Sequence, residues 1–242
     1  MFGHFLMSNL MMVYDFSDKR WQRLNEHGLL NCSYPLNPQS ALAAHRQGAF
    51  AWYEEEGRVQ WWKPEMRAVF LTEALHVSRS TRKDWKQSAL AGKLSITLDH
   101  DFASVMESCA RVHAEKEGAT WLLPEMQAVY QALHEEGYAH SVEVWEEGRL
   151  VGGVYGVALG AVFCAESMFH QRTNASKIAL WALSKALYQR GIWVIEAQFL
   201  TEHLYSLGAR WMKAWDYEQL LSIDPEKHRG LWRSSMGVED LL

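Results

Sequence analysis

A chain of 242 residues that is 48% hydrophobic and carries 12 Trp can bury a large core, which excludes a disordered or low-complexity protein. A net charge of −5 argues against bulk attraction to nucleic acid and leaves only a local basic patch for that purpose. No apolar run is long enough to span a membrane. The three cysteines, Cys32, Cys109 and Cys164, are far apart and form no CxxC, and the eleven histidines form no HExxH, so reduced thiols in a cytoplasmic protein without a metal are expected.

The apolar start at Met1 to Met7 lacks a basic n-region and is not read as a signal peptide. The first fifty residues are loop-rich, with Pro38 to Gln47 as a short amphipathic helix ended by Gly48. Ala49 to Tyr53 and Val59 to Trp62 flank an acidic turn and are dense in aromatics. These rings fill a seam in the ordinary case, and Trp52 could equally stack on a ligand base. Arg67 to Leu71 reads as a strand.

The segment Ser78 to Lys86 places Arg79, Arg82, Lys83 and Lys86 at i, i+3, i+4 and i+7, one face of a helix, against a single acid, Asp84. A solvated face is the bland reading. Its contrast with an acidic chain suits the phosphates of a folded RNA. Leu94 to Leu98 alternates as a strand, Asp99 is expected to cap the helix that follows, and Pro124 opens another helix reaching Glu136.

The most organised stretch runs from Ala139 to Gln198. A hairpin over His140 to Ala158 leads through Gly160 to a third strand, in which Phe163, Ala165 and Ser167 should oppose Cys164, Glu166 and Met168. Asn174 opens a helix to about Arg190, stopped by Gly191. Ile192 to Phe199 returns as a strand carrying Glu196 and Gln198 on one face. A carboxylate and an amide on a buried strand are costly unless paired, and Glu166 on a neighbouring strand makes a second carboxylate among aromatics, a pocket for something cationic. Thr201 to Gly208 reads as a short helix, Ala209 to Trp215 as the last strand, and the tail from Asp224 as loosely held.

The order of elements is α+β, a small N-terminal lobe over 1–70 followed by a mixed-sheet domain over 71–242. Several stretches resemble the leucyl/phenylalanyl-tRNA–protein transferase family, whose C-terminal domain is GNAT-like. They include Gly48-Ala49-Phe50-Ala51-Trp52-Tyr53, Trp61-Trp62-Lys63-Pro64, Leu75-His76-Val77-Ser78-Arg79-Ser80, Thr120-Trp121, His140 to Trp145, Phe163 to Phe169, Asn174-Ala175-Ser176-Lys177 and Ser206-Leu207-Gly208-Ala209. Where that family has Asp-Cys-Gln, this chain has Glu196-Ala197-Gln198.

The resemblance implies a bacterial cytoplasmic enzyme that moves Leu or Phe from tRNA to the α-amino group of an N-terminal Arg or Lys, marking the protein for degradation, without coenzyme A. It implies that Trp52, Trp121, Phe163, Met168 and Ile195 surround the aminoacyl group and terminal adenosine. Glu196, Gln198 and Glu166 would be the catalytic set, with Glu196 as base or anchor. Arg79, Arg82, Lys83 and Lys86 would meet the tRNA. The alternative is amide formation on a small-molecule or peptide amine by the same donor. An aminoacyl ester is already activated, so positioning and one proton transfer suffice and no nucleophile is needed.

Overall fold

The computed structural model describes residues 11–12, 29–30, 36–55, 58–117, 120, 122–230 and 232–241. After the short strands β1 (Met11–Met12) and β2 (Leu29–Leu30) come helix α1 (Pro38–Arg46), strands β3 (Phe50–Glu55), β4 (Arg58–Trp62) and β5 (Met66–Leu71), and helix α2 (Arg79–Leu90). The middle of the chain holds β6 (Leu94–Leu98), α3 (Phe102–Glu117), α4 (Pro124–Glu135), β7 (Ala139–Glu146), β8 (Arg149–Leu159), β9 (Val162–His170) and α5 (Ala175–Arg190). The remainder is β10 (Val194–Glu196), α6 (Glu202–Ser206), β11 (Arg210–Lys213), α7 (Ala214–Leu221), β12 (Ser234–Met236) and α8 (Val238–Leu241).

Nine strands form one sheet in the order β1-β11-β5-β10-β9-β8-β7-β6-β12, and β2-β4-β3 form a small second sheet. Strand β5, which straddles residue 70, belongs to the large sheet. Its neighbours β10 and β11 both pair with it antiparallel, whereas β10 runs parallel to β9. The antiparallel meander β7-β8-β9, the helix α5 and the parallel return strand β10 are the mixed-sheet arrangement expected from the sequence.

Two apolar layers cover the large sheet. One packs α1, α3, α4 and α7 against it through Leu42, Phe102, Met106, Tyr130 and Leu220. The other packs α2, α5 and the C-terminal tail through Trp85, Ile178, Trp181, Leu183 and Trp232. Helix α5 is buried on most sides, from Ala175 to Leu187, which is why its sequence shows little polar face. It approaches the sheet closely because Gly152 has no side chain: a Cβ there would lie 2.5 Å from that of Ala175.

Three local expectations need correction. Asp99 does not cap α3; Asp101 does, its carboxylate accepting the Ser104 N–H at 3.2 Å. Asp99, at φ +52, is instead turned inward onto His140. The strand expected over Ala209 to Trp215 runs only over Arg210–Lys213 and is not the last: Tyr217, Leu220 and Leu221 are buried at helical spacing and continue the chain as α7, and β12 follows. The alternation on β9 breaks at a bulge between the pairs Tyr155↔Ser167 and Gly156↔Ala165, so Glu166 is the extra residue. Ser167 therefore faces α3, 3.5 Å from His113, and Met168 joins Phe163 on the α5 side.

The tail is not loosely held. Trp232 is 8% exposed, its ring stacks on His140 at 3.6 Å and 5°, and its backbone N–H donates to Asp99 at 2.6 Å. Beyond it β12 pairs with β6, and Leu241 is fully buried. Sequence polarity conceals this because one aromatic and one leucine carry the anchorage. Trp232→Ala should destabilise the protein by about 3–5 kcal/mol in urea unfolding. A loss under about 1 kcal/mol would return the tail to the loosely held description.

Candidate active site

Strands β9 and β10 run side by side only as far as Cys164 and Glu196, and then part. Glu196 ends β10, 1% exposed, on the face covered by α1 and α7. The chain then bends, with Gln198 at φ +54. The expectation of one continuous strand to Phe199 is thus corrected: Gln198 meets Glu196 through the bend and not as its neighbour on a strand face. Its backbone N–H donates to Glu196 Oε1 at 2.9 Å, and its Nε2 donates to the Ala165 carbonyl at 2.8 Å. The amide therefore bridges the two strands where they separate.

A residue not singled out from the sequence completes this corner. Arg67, on β5, is fully buried and lies 3.4 Å from Glu196 through Nη1. Its Nη2 donates to the Gly48 carbonyl, and its guanidinium sits 4.9 Å over the Tyr217 ring and 5.5 Å over that of Phe50. The signal available in the sequence is an arginine within the apolar run Met66 to Leu71. Burial raises the Glu196 carboxyl above its ordinary range, and the Arg67 charge opposes that rise.

Glu166 points to the same face, 3.6 Å from His45 Nε2 on α1 and beside Tyr130. Its Oε1 makes no hydrogen bond among the described residues. Burial, partly offset by the Tyr130 hydroxyl and reinforced by the charge of Glu196, pushes Glu166 up to about 8. Burial and then Arg67 depress His45 to about 4. The separation is that of an ion pair, yet at neutral pH both partners are uncharged, because neither the carboxylate nor the imidazolium is solvated there. The two carboxyls of one site thus sit in different surroundings: burial pushes Glu166 up to about 8, while the rise that burial imposes on Glu196 is opposed by the Arg67 charge and the Gln198 N–H.

This arrangement has a pH signature. An acid whose folded value lies above its unfolded value of 4.5 favours the folded state when protonated, so stability declines as pH rises from there through about 8. His45 acts on the other side, its stability contribution fading as pH falls from 6.5 toward about 4. Glu166→Gln should remove the alkaline limb: its stability, followed by thermal unfolding across pH, stays level where that of the wild type falls. An identical alkaline decline in both proteins would show that Glu166 is not held protonated.

The described members of the expected apolar group lie together, away from the carboxylates. Phe163 and Ile195 are fully buried and Met168 half-buried, all in the layer under α5, across the sheet from Glu166 and Glu196. The carboxylates keep different aromatic company: Tyr130 and Tyr155 near Glu166, Tyr217 and Phe50 near Arg67 and Glu196. Trp52 lies on β3, but its side chain, like the whole of Trp121, is outside the described residues.

On α2, Arg79, Arg82, Lys83 and Lys86 are all exposed, and none enters an ion pair among the described residues. The helix's one acid is turned away from them. Asp84 accepts two hydrogen bonds from Arg172, at 2.7 and 2.9 Å, and another from Asn174, which hold its carboxyl below the usual range. That clasp leaves the four cations unopposed.

Neither described cysteine is poised as a nucleophile: burial pushes Cys109 up to about 12 and Cys164 well above its ordinary value. No cluster of three His, Cys, Asp or Glu side chains able to hold a metal occurs among the described residues. No helix there is long and apolar enough to cross a membrane. A mixed sheet with two carboxyl groups and an amide gathered where two parallel strands part carries the residue types that acyl transfer from an activated ester calls for.

The comparisons with known proteins agree with that class. Residues 69–222 match the family described as leucyl/phenylalanyl-tRNA protein transferase, and residues 35–65 match its N-terminal domain. The leucyl/phenylalanyl-tRNA–protein transferase of Shewanella baltica (strain OS155) is 45% identical over 196 residues, 81% of each chain. That of Pseudomonas aeruginosa (strain UCBPP-PA14) is 44% identical over 199 residues, 81% of this chain and 85% of the other. Among solved structures, FemX aligns at a TM-score of 0.47 and 10% identity, covering 62% of this chain and 60% of its own, which is too distant to bear on function. The chain belongs to the leucyl/phenylalanyl-tRNA–protein transferase family.

Proposed function

We propose that this chain transfers Leu or Phe from aminoacyl-tRNA to the α-amino group of a protein beginning with Arg or Lys, by direct aminolysis of the ester and with no coenzyme. The observation that carries the reading is the meeting of Glu196, Gln198 and Glu166 at the parting of β9 and β10, in a chain of this family. Glu196, paired with Arg67, takes the proton that the attacking amine must lose. Gln198, fixed by its bond to the Ala165 carbonyl, orients the donor at the strand gap. Glu166 waits as a neutral acid and ionises when the basic side chain of the acceptor arrives, so acceptor affinity should rise with pH toward about 8.

Phe163, Met168 and Ile195, together with Trp52 and Trp121, are assigned to the aminoacyl side chain and the terminal adenosine. Arg79, Arg82, Lys83 and Lys86 hold the tRNA backbone. No observation favours a small-molecule amine as acceptor. The test is transfer of radiolabelled Leu and Phe from charged tRNA to peptides beginning with Arg or Lys, beside otherwise identical peptides beginning with Ala and a panel of small amines. Transfer to the Arg and Lys peptides is the expected result. Transfer to small amines alone would overturn it.

A further inference from the structure

Helix α1 lies in the stretch 35–65 and Glu166 in the stretch 69–222, two parts of the chain with separate family matches. One side chain joins them at the carboxylate site. His45, in the last turn of α1, is 2% exposed and places its Nε2 3.6 Å from Glu166 Oε1. Its ring meets that of Tyr130 on α4 edge-on, with centroids 6.4 Å apart at 61°, so packing holds the imidazole in place. The helix is also fixed at its start, where Asn37 and Ser40 cap each other's backbone around Pro38.

What each partner lacks sets the chemistry of the pair. Glu166 Oε1 is buried without a hydrogen bond among the described residues, and the whole side chain is 2% exposed. A neutral carboxyl tolerates one bare oxygen at modest cost. A carboxylate does not, because both of its oxygens carry charge that only donors or water can meet. The groups facing Glu166 are the hydroxyls of Tyr130 on α4 and Tyr155 on β8, the Cys164 thiol on β9 and the Glu196 carboxyl on β10, while Arg67 on β5 faces His45. Tyr130 already donates to Glu166, and His45 Nε2 stands at the bare oxygen, just beyond hydrogen-bond length. Burial and the Arg67 charge keep His45 uncharged at neutral pH. It therefore offers an N–H dipole without a positive charge that would compete with a cationic acceptor.

We propose that His45 is a positioning residue for the acceptor: as a neutral imidazole with its proton on Nε2, it donates to Glu166 Oε1 when that carboxyl ionises, and so holds the carboxylate toward the acceptor's basic side chain. The proton that Glu166 gives up passes to water. The proposal rests on the reading of Glu166 as the partner of that side chain. It makes recognition of the acceptor a joint product of two elements, with α1 supplying the donor and β9 the acid.

The test compares wild type with His45→Leu, His45→Gln and Glu166→Gln in transfer to a peptide beginning with Arg. His45→Leu should raise KM for the peptide about tenfold, the loss expected for one hydrogen bond to a charged group, with kcat within about threefold of wild type. His45→Gln, whose amide N–H can take the place of Nε2–H, should bring KM back to within about threefold. A second readout needs no substrate. Loss of a donor to the charged form raises Glu166 further, so the alkaline decline in thermal stability should run about one pH unit higher in His45→Leu before it levels, and return to the wild-type range in His45→Gln. A wild-type KM in His45→Leu overturns the proposal where Glu166→Gln raises KM. So does a Gln variant as impaired as the Leu variant, or a stability profile that His45→Leu leaves unmoved. If Glu166→Gln itself leaves KM unchanged, the reading of Glu166 falls, and the stability profile alone decides whether His45 serves that carboxyl.

Discussion

Arg67→Met is expected to destabilise the protein by about 3–5 kcal/mol, because it leaves Glu196 buried without its cation. The cost comes chiefly from the stranded carboxylate, which must either remain charged out of water or take up a proton. Met fills much of the aliphatic volume but cannot donate to the Gly48 carbonyl or lie as a cation between Tyr217 and Phe50. Adding Glu196→Gln should return a large part of the lost stability, since the uncompensated charge is then gone. Transfer should stay low in the double variant. Urea unfolding of the two single variants and the double variant measures the coupling directly. Additive losses would show that Arg67 and Glu196 do not act as a pair, despite the 3.4 Å between them.

Glu196→Gln should lower transfer by about 10²–10⁴-fold while leaving the affinity for charged tRNA within about threefold of wild type. Gln has the shape of Glu and still accepts the Gln198 N–H, so the bend that carries Gln198 survives. What it lacks is the basic oxygen. The variant leaves Arg67 without its anion, so a thermal scan belongs beside the kinetics to separate a damaged fold from a damaged reaction. With the fold intact, single-turnover transfer within about threefold of wild type would remove Glu196 from the chemistry and leave it as Arg67's counter-ion. Glu196→Asp tests reach: if the family's shorter acid also works here, the site tolerates a carboxylate set back by one methylene.

The periodic elements are legible because their patterns are local. The meander from Ala139, the helix α5 with its αL stop at Gly191, and the one-sided cations of α2 all follow from spacing within a dozen residues. The features that escape a reading of the sequence depend on partners distant in the chain. Asp99 reads as a cap until His140 and Trp232 are brought to it, and Glu166 reads as an alternating strand residue until Gly156 allows a bulge. At Gly156 a Cβ would lie 2.1 Å from the Cys164 carbonyl, so the bulge requires glycine on the facing strand. Arg67 gives little sign of its role because its partners, Gly48, Glu196 and Tyr217, come from three separate parts of the chain. The carboxylates stand out in the sequence as charge in apolar surroundings. Their different surroundings need the distances, since burial and the positions of Arg67 and Tyr130 set how far each carboxyl is shifted.

The short strand β12 has a consequence beyond anchoring the tail. Without it, β6 would be the outermost strand on that side of the large sheet, with a row of unpaired backbone donors and acceptors along Leu94–Leu98. Such a row is a template for any extended chain that meets it, including another copy of the same protein. Trp232 and Leu241 pin the segment on either side, so the molecule supplies its own edge strand and denies that place to others. Residues 234–236 thereby occupy, within the molecule itself, a place on the sheet that an extended segment of another chain could otherwise take.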